Sequence, residues 1–537
     1  MRLTYPIAAF ALATALPLSA QADVVTDWNK NAVDEIRKLG LGPNPATRTL
    51  AITQIAVYDA VNAITGTHQP YHASITSTLP ASLEAAAASA AYQALVLQFP
   101  NEKGTLDGLF TQSLSAIADG PAKQHGIEIG KAAAVDIYTL RIGDGSTATS
   151  TYPGSTDVGK WRPTPRADVA AAPLPALEPW WRYVTPFGLT SPSQFRPDAP
   201  PAITSAAFST AYKETKSLGK IDSTTRTADQ TQIANFWKQA THVPFNAIAR
   251  SISKVKELTV EQNARLFALL NITLADTRIA VWDAKYQYGF WRPITAINTD
   301  TDYGALDAPP DTTWVPLIET PNHPEYPSGH SITGGGGARL LAQVFGDDVS
   351  FAVVSDTLPG VTRSFTKLSD AEQENANSRI YGGLHYRFSN ETGIDLGHKV
   401  ADYVFGNYLK ALPGPIGEGG AGGEDSVGSA GEANTAGSSS SAGGGAGGTG
   451  GTSPAGAAGE TESAEAGEGG VSPTGGKGGS GGGGAGKPAV PALSAEDDED
   501  SSCAVAQPGR ASDAFGVGLL LAAVGVGLRL RRRRSQR

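Results

Sequence analysis

The chain has 537 residues, a formal net charge of −10, 18% charged and 40% hydrophobic residues, 63 glycines and one cysteine. A single cysteine excludes an intrachain disulfide framework, and the lack of any basic patch interleaved with aromatics argues against nucleic-acid binding. Composition shifts sharply near Leu412, and only the part before it has the apolar content to bury a core.

In chain order, MRLTYPIAAFALATALPLSAQA sets Arg2 before an apolar run that ends at Ala20-Gln21-Ala22, the small-x-small form of a secretory cleavage site. Residues 1–22 are expected to be a signal peptide, with the mature chain starting near Asp23. From 23 to 412 the apolar spacing is helical: ATRTLAITQIAVYDAVNAI, SLEAAAASAAYQALVLQF, HGIEIGKAAAVDIYTL, NARLFALLNITLADTRIAVWDAKY and TGIDLGHKVADYVFGNYLKAL carry apolar residues at three- and four-residue steps. Ser146 to Pro201 and Asn298 to Tyr326 read instead as long irregular excursions. The expectation is one all-α domain, residues 23–412, a helical bundle whose loops supply part of a pocket.

Three segments of that domain carry chemistry. In WDAKYQYGFWRP, Lys285 and Arg292 stand two helical turns apart, so a continuing helix would place both cations on one face, with Pro293 stopping it. Pro327-Ser328-Gly329-His330 precedes a helical run, which puts Ser328 at an N-cap and turns the first free N–H groups toward an anion. His330 then stands where an imidazole can move a proton. Taken alone, PSGH also reads as a turn with a stray histidine. In SRIYGGLHYR, Arg379 and His385 are separated by two glycines that permit close backbone approach. Gly334 to Gly337 interrupt the helix after PSGH and predict a closely packed neighbour. His68, His72, His125, His242 and His398 show no usable ligand spacing and are read as structural.

Residues 413–502, with runs such as SSSSAGGGAGGTGG and AEDDED, are expected to form a disordered, acidic tether. Residues 503–537 set Cys503 before an apolar run, Ala514 to Leu528, and an arginine cluster that includes Arg531 to Arg534. This arrangement resembles the Myxo-type C-terminal sorting signal. The resemblance implies attachment to the cell surface or outer membrane, possible release by processing near Cys503, and a catalytic domain held outside the cell. A simple transmembrane tail anchor is the other reading.

Together, K-x6-R-P, PSGH and SR-x5-H resemble the signature shared by vanadium-dependent haloperoxidases and type 2 phosphatidic acid phosphatases, and WDAKYQYGFWRP and IYGGLHYRF are more similar to the haloperoxidase branch. The resemblance implies a vanadate cofactor whose equatorial oxygens are neutralised by Lys285, Arg292 and Arg379, with Ser328 and the Gly329 N–H as further donors. It implies His385 as the metal ligand and His330 as the acid–base group. The implied reaction oxidises halide with hydrogen peroxide to a hypohalous species that halogenates small organic acceptors. Met1 is the only methionine, so the mature domain carries neither methionine nor cysteine, which suits a source of oxidant.

Two departures qualify the resemblance. Ser389 stands where the family commonly has an aspartate orienting the metal-binding histidine, which removes a charge. The halide markers disagree: His323 matches bromoperoxidases and Trp282 matches chloroperoxidases, with bromide favoured. The alternative in the same pocket is an acid phosphatase that cleaves phosphate monoesters through a phospho-His385 intermediate. A surface scaffold with a degenerate pocket is the third reading.

Overall fold

In the computed structural model the described residues are 23–164, 173–299 and 309–413. The expected signal peptide, the tether from residue 414 onward and the C-terminal sorting signal lie outside them. Among the described residues no helix is long and apolar enough to cross a membrane.

The chain runs through α1 (Val24–Lys38), α2 (Pro43–Thr65), α3 (Leu83–Gln98), α4 (Lys103–Ser115) and α5 (Pro121–Leu140) before the first long loop. It continues as α6 (Ala206–Leu218), α7 (Ala228–Phe236), α8 (His242–Val255), α9 (Val260–Tyr288) and the short α10 (Pro293–Asn298). After the second loop come α11 (Gly329–Phe345), the strands β1 (Phe351–Val354) and β2 (Thr362–Phe365), α12 (Leu368–Tyr381) and α13 (Arg387–Asn407). The all-α expectation holds, with the antiparallel hairpin of β1 and β2, Phe351 opposite Phe365, as a small addition. Strands of four residues are too short for alternation to stand out in a sequence.

Local chemistry sets the ends. Asp23 and Ser82 cap α1 and α3 by accepting backbone N–H groups, and Thr259 with Gln262 closes a capping box at the start of α9. α9 is the axis of the bundle: every residue from Leu266 to Tyr286 is buried, because α2, α11 and α13 cover it. A helix surrounded in this way is apolar nearly all round, and the polar groups it does carry need dedicated partners.

Among its described residues the loop between α5 and α6 contains one 3-10 turn, Pro179–Tyr183, and is pinned to α9 by such partners. The buried Asp276 carboxylate accepts the N–H groups of Phe187, Gly188 and Leu189, each at 2.7 Å. Arg196 forks onto Asp283 through Nε at 2.6 Å and Nη2 at 2.8 Å. The carbonyl of Leu177 receives the Trp282 indole N–H at 3.3 Å and the Tyr286 hydroxyl at 2.5 Å.

The glycine run of α11 is explained by packing. A Cβ on Gly335 would stand 3.0 Å from the Ile394 backbone of α13, and one on Gly336 would stand 2.8 Å from Thr277 Cγ2 of α9. One on Gly337 would meet the Phe245 ring at 2.7 Å. α11 is thus wedged between α8, α9 and α13, which fixes where its N-terminus sits.

Candidate active site

The last three turns of α9 bring Arg278 and Lys285 to the inner end of the bundle. α9 then stops at Tyr288, capped by Gly289 with φ 56°, and Pro293 begins α10 where the sequence reading had it stopping a helix. Arg292 is the residue before α10, in extended backbone. It reaches the site because the chain turns at Gly289, a correction to the expectation of one helical face shared with Lys285.

Lys285 is fully buried and donates to three carbonyls, of Pro324 at 3.0 Å, Glu325 at 2.8 Å and Pro327 at 2.5 Å. It therefore holds down the loop that carries PSGH and supplies its charge through space. Arg292 is equally buried: Nε donates to the His323 carbonyl at 2.9 Å and Nη1 to the Leu384 carbonyl at 3.0 Å. Arg379, on the last turn of α12, donates through Nη2 to the Trp237 carbonyl at 2.9 Å, at the carbonyl-rich end of α7.

Ser328 caps α11 as expected, its Oγ accepting from the Ser331 amide at 3.4 Å and from the Ser331 hydroxyl at 2.9 Å. Gly329 and His330 open the helix, so their amides have no carbonyl one turn back inside it. A Cβ on Gly329 would lie 2.9 Å from Arg278 Nη1, so only glycine leaves this cation room beside the helix start. His330 is partly buried, with Nε2 facing the Gln239 carbonyl at 3.2 Å, which assigns the ring proton to Nε2. A cavity of about 10 Å³, room for roughly one water, joins His330 to Arg278 and His242.

His385 has two opposite neighbours. Nδ1 stands 2.8 Å from Glu325 Oε1, and Nε2 stands 3.2 Å from Arg292 Nη1. A guanidinium only donates, so Nε2 carries the lone pair and Nδ1 carries the proton given to Glu325. The same Glu325 oxygen accepts the Tyr386 amide at 3.1 Å. Sequence reasoning looked for this partner at position 389 and missed Glu325, sixty residues before His385 in the chain. The signal was the acidic residue inside HPEYPSGH.

Burial dominates the electrostatics. It lowers Lys285 well below its ordinary value, helped by Arg292 and Arg278, and brings Arg292 down to about 10. Arg278 and Arg379 fall to about 9 for the same reason, Arg379 also through repulsion from Arg292. His385, His330 and His323 are all held well below 6.5 by burial and then by these cations. Burial raises Glu325 to about 7, while Lys285 and Arg292 pull the other way. Four buried cations thus share one region, and the carboxylates that act on them are Glu325 and, at Arg278, Glu178. Such an excess is suited to an anion.

The two halide markers turn out to be neighbours. The rings of Trp282 and His323 lie with centroids 4.9 Å apart, Arg278 Cζ sits 4.3 Å over the Trp282 ring, and His323 Nδ1 is 3.0 Å from Arg292 Nη2. Among the histidines read as structural, His72 meets Asp136 at 2.5 Å and His398 meets Glu372 at 2.7 Å, while His242 borders the small cavity beside His330. A surface pocket of about 660 Å³ beside Lys213, Lys216 and Lys220 contains none of these groups and lacks their burial.

Residues 265–414, which hold all three motifs, match the family described as the VCPO second helical-bundle domain. In this region the chain is similar to vanadium haloperoxidases. The vanadium chloroperoxidase of Curvularia inaequalis is 28% identical over 178 residues, covering 25% of this chain. The match spans 29% of that protein's length, less than a third of the relative. A solved bacterial vanadium-dependent iodoperoxidase is 26% identical, with a TM-score of 0.64 over 74% of this chain and 99% of its own. A bacterial vanadium-dependent chloroperoxidase, solved in its apo form, is 18% identical with a TM-score of 0.56 over 68% of this chain and 94% of its own. That second likeness shows the fold.

Proposed function

We propose that the chain is a vanadate-dependent haloperoxidase, oxidising halide with hydrogen peroxide to a hypohalous species that halogenates small organic acceptors. One observation carries the reading: a lone imidazole nitrogen, His385 Nε2, is aimed into a cluster of buried cations that lacks a matching set of carboxylates. Among the described residues no three His, Cys, Asp or Glu side chains gather as a metal-ion site. A donor set of guanidinium, ammonium, hydroxyl and amide groups with one imidazole instead fits an oxyanion of vanadium or phosphorus.

When bound, vanadate supplies Lewis acidity that polarises peroxide toward attack by halide. The chain's own groups do the rest. Arg292 and Arg379 would share the anion's charge with Lys285, and Ser328 and the Gly329 amide would add neutral donors. His385 would be the metal ligand, its Nδ1–H held by Glu325. His330, neutral and protonated at Nε2 toward Gln239, would exchange protons with the bound group. Burial of Trp282 and His323 beside Arg292 offers a polarisable, positively biased place for a large halide. Bromide is the favoured substrate, and the likeness to an iodoperoxidase supports iodide being oxidised with it.

Export and surface attachment through residues 503–537 complete the proposal, supported by the sequence alone. Cell fractionation with and without those residues tests it, and retention of the truncated chain at the surface would refute it.

The activity test uses the full chain freed of bound anions, with hydrogen peroxide and bromide, with and without orthovanadate. Dye bromination that depends on orthovanadate is the expected result. Hydrolysis of a phosphate monoester, inhibited by orthovanadate and without bromination, would replace this reading with the phosphatase.

A further inference from the structure

The position four residues after His385 is occupied by Ser389, yet His385 does not lack a carboxylate. Glu325 reaches Nδ1 from the loop before PSGH, is fully buried, and is fixed at that same oxygen by the Tyr386 amide. Ser389 is beside it: its carbonyl accepts the Ser328 amide at 3.0 Å, and its buried hydroxyl, which like Glu325 Oε2 makes no hydrogen bond among the described residues, lies near enough to favour the carboxylate form of Glu325. A carboxylate at 389 would therefore meet Glu325 in a buried site, where two like charges cannot both stay ionised. The acidic residue can stand at one place or the other.

We propose that Glu325 is the positioning residue of the anion site, holding His385 in the Nδ1–H form so that Nε2 presents its lone pair, and that serine at 389 is the consequence of that placement. Glu325 acts through His385 and touches no reacting atom. The inference deepens the proposed function and rests on it, because the lone pair is needed only if His385 binds or attacks the central atom of an oxyanion.

The exchange is testable with Glu325→Gln, Ser389→Asp and the double variant of the full chain, each first shown by thermal denaturation to fold. Titration with orthovanadate followed by vanadium-51 NMR reads affinity without turnover. Glu325→Gln should bind orthovanadate about 10- to 100-fold more weakly, as for loss of an outer partner of a ligating histidine. Ser389→Asp alone should also weaken binding, whereas the double variant should recover most of the loss, since a single carboxylate again serves His385. Nitrogen-15 spectra of the His385 ring, taken without any anion, should show the Nδ1–H form in the wild type and lose it in Glu325→Gln. Unchanged affinity in Glu325→Gln, or a double variant that binds no more tightly than Glu325→Gln, overturns the assignment. If the wild-type chain binds no orthovanadate, the proposed function fails, while the nitrogen-15 spectra still decide whether Glu325 sets the tautomer.

Discussion

Gly397→Ala should destabilise the domain although alanine is the better helix former. Gly397 lies on α13 where that helix crosses α11, and a Cβ there would stand 2.6 Å from the Gly336 amide nitrogen and 3.1 Å from the Gly335 carbonyl carbon. The Ile332 carbonyl oxygen would be closer still. All three atoms are backbone, so no rotamer change relieves the clash. Carbon contacts settle near 3.5 Å, so the helices must part by roughly 1 Å. Alanine returns about 1 kcal/mol of helix propensity, against about 1 to 3 kcal/mol or more for overpacking. A net loss of about 1 kcal/mol is expected. Gly406→Ala, on the same helix with nothing within 4 Å of its Cβ, keeps the propensity gain and should be neutral or stabilising. Urea denaturation of both variants measures the difference. Because α11 begins at Gly329 and α13 follows directly on His385, Gly397→Ala should also weaken orthovanadate binding. A Gly397→Ala protein at least as stable as the wild type would refute the claim that the glycines exist for close packing.

Acid should unfold the anion-free chain. Burial holds His242 at about 3 and His323, His330 and His385 well below 6.5, so the unfolded chain binds protons that the folded one refuses. The stability these groups contribute is complete above about pH 6.5 and is lost as the pH falls toward their folded values. Asp276, raised to about 6, and Glu325, raised to about 7, act in the opposite sense, favouring the folded chain as the pH falls. Asp23, Asp27, Asp59 and Glu178, also raised mainly by burial, act in that same sense, so the loss on the acid side is the imidazoles' share and is read residue by residue. His242→Phe should reduce the proton uptake on unfolding by up to about one proton between pH 3 and 6.5, read from denaturation midpoints across pH, and an unchanged slope would show that His242 is not buried neutral. Orthovanadate or phosphate should raise the denaturation midpoint, since an anion relieves repulsion among Arg278, Lys285, Arg292 and Arg379; at 100 times Kd the gain is about 2.7 kcal/mol. A midpoint that ignores both anions would mean that the cation cluster is satisfied by the protein alone.

The long helices were legible because their cause is local: apolar residues recurring at three- and four-residue steps, as along Leu266 to Tyr286, mark a helix before any partner is known. The N-cap at Ser328 was legible for the same reason, since proline before it and a helical run after it leave little choice of backbone. Lys285 and Arg292 do come to one region, but not along one helical face. Periodicity assumes that the helix continues, and the left-handed cap at Gly289 ended it three residues too soon for that assumption. Glu325 was visible only as an acidic residue beside PSGH, because the partner of a histidine is a matter of which loop folds over it, and no spacing rule joins positions 325 and 385.

Arg278 shows the limit most clearly. It stands seven residues before Lys285 as Lys285 stands seven before Arg292, and the sequence offers no reason to treat the three alike. The fold supplies one: glycine at 329 gives the guanidinium its space, Asn44 Oδ1 of α2 accepts its Nε at 2.8 Å, and Trp282 stacks beneath it. A charge so well enclosed and so poorly neutralised is costly to the empty protein. Its retention beside Lys285, Arg292 and Arg379 is the physical argument that the site is completed by an anion.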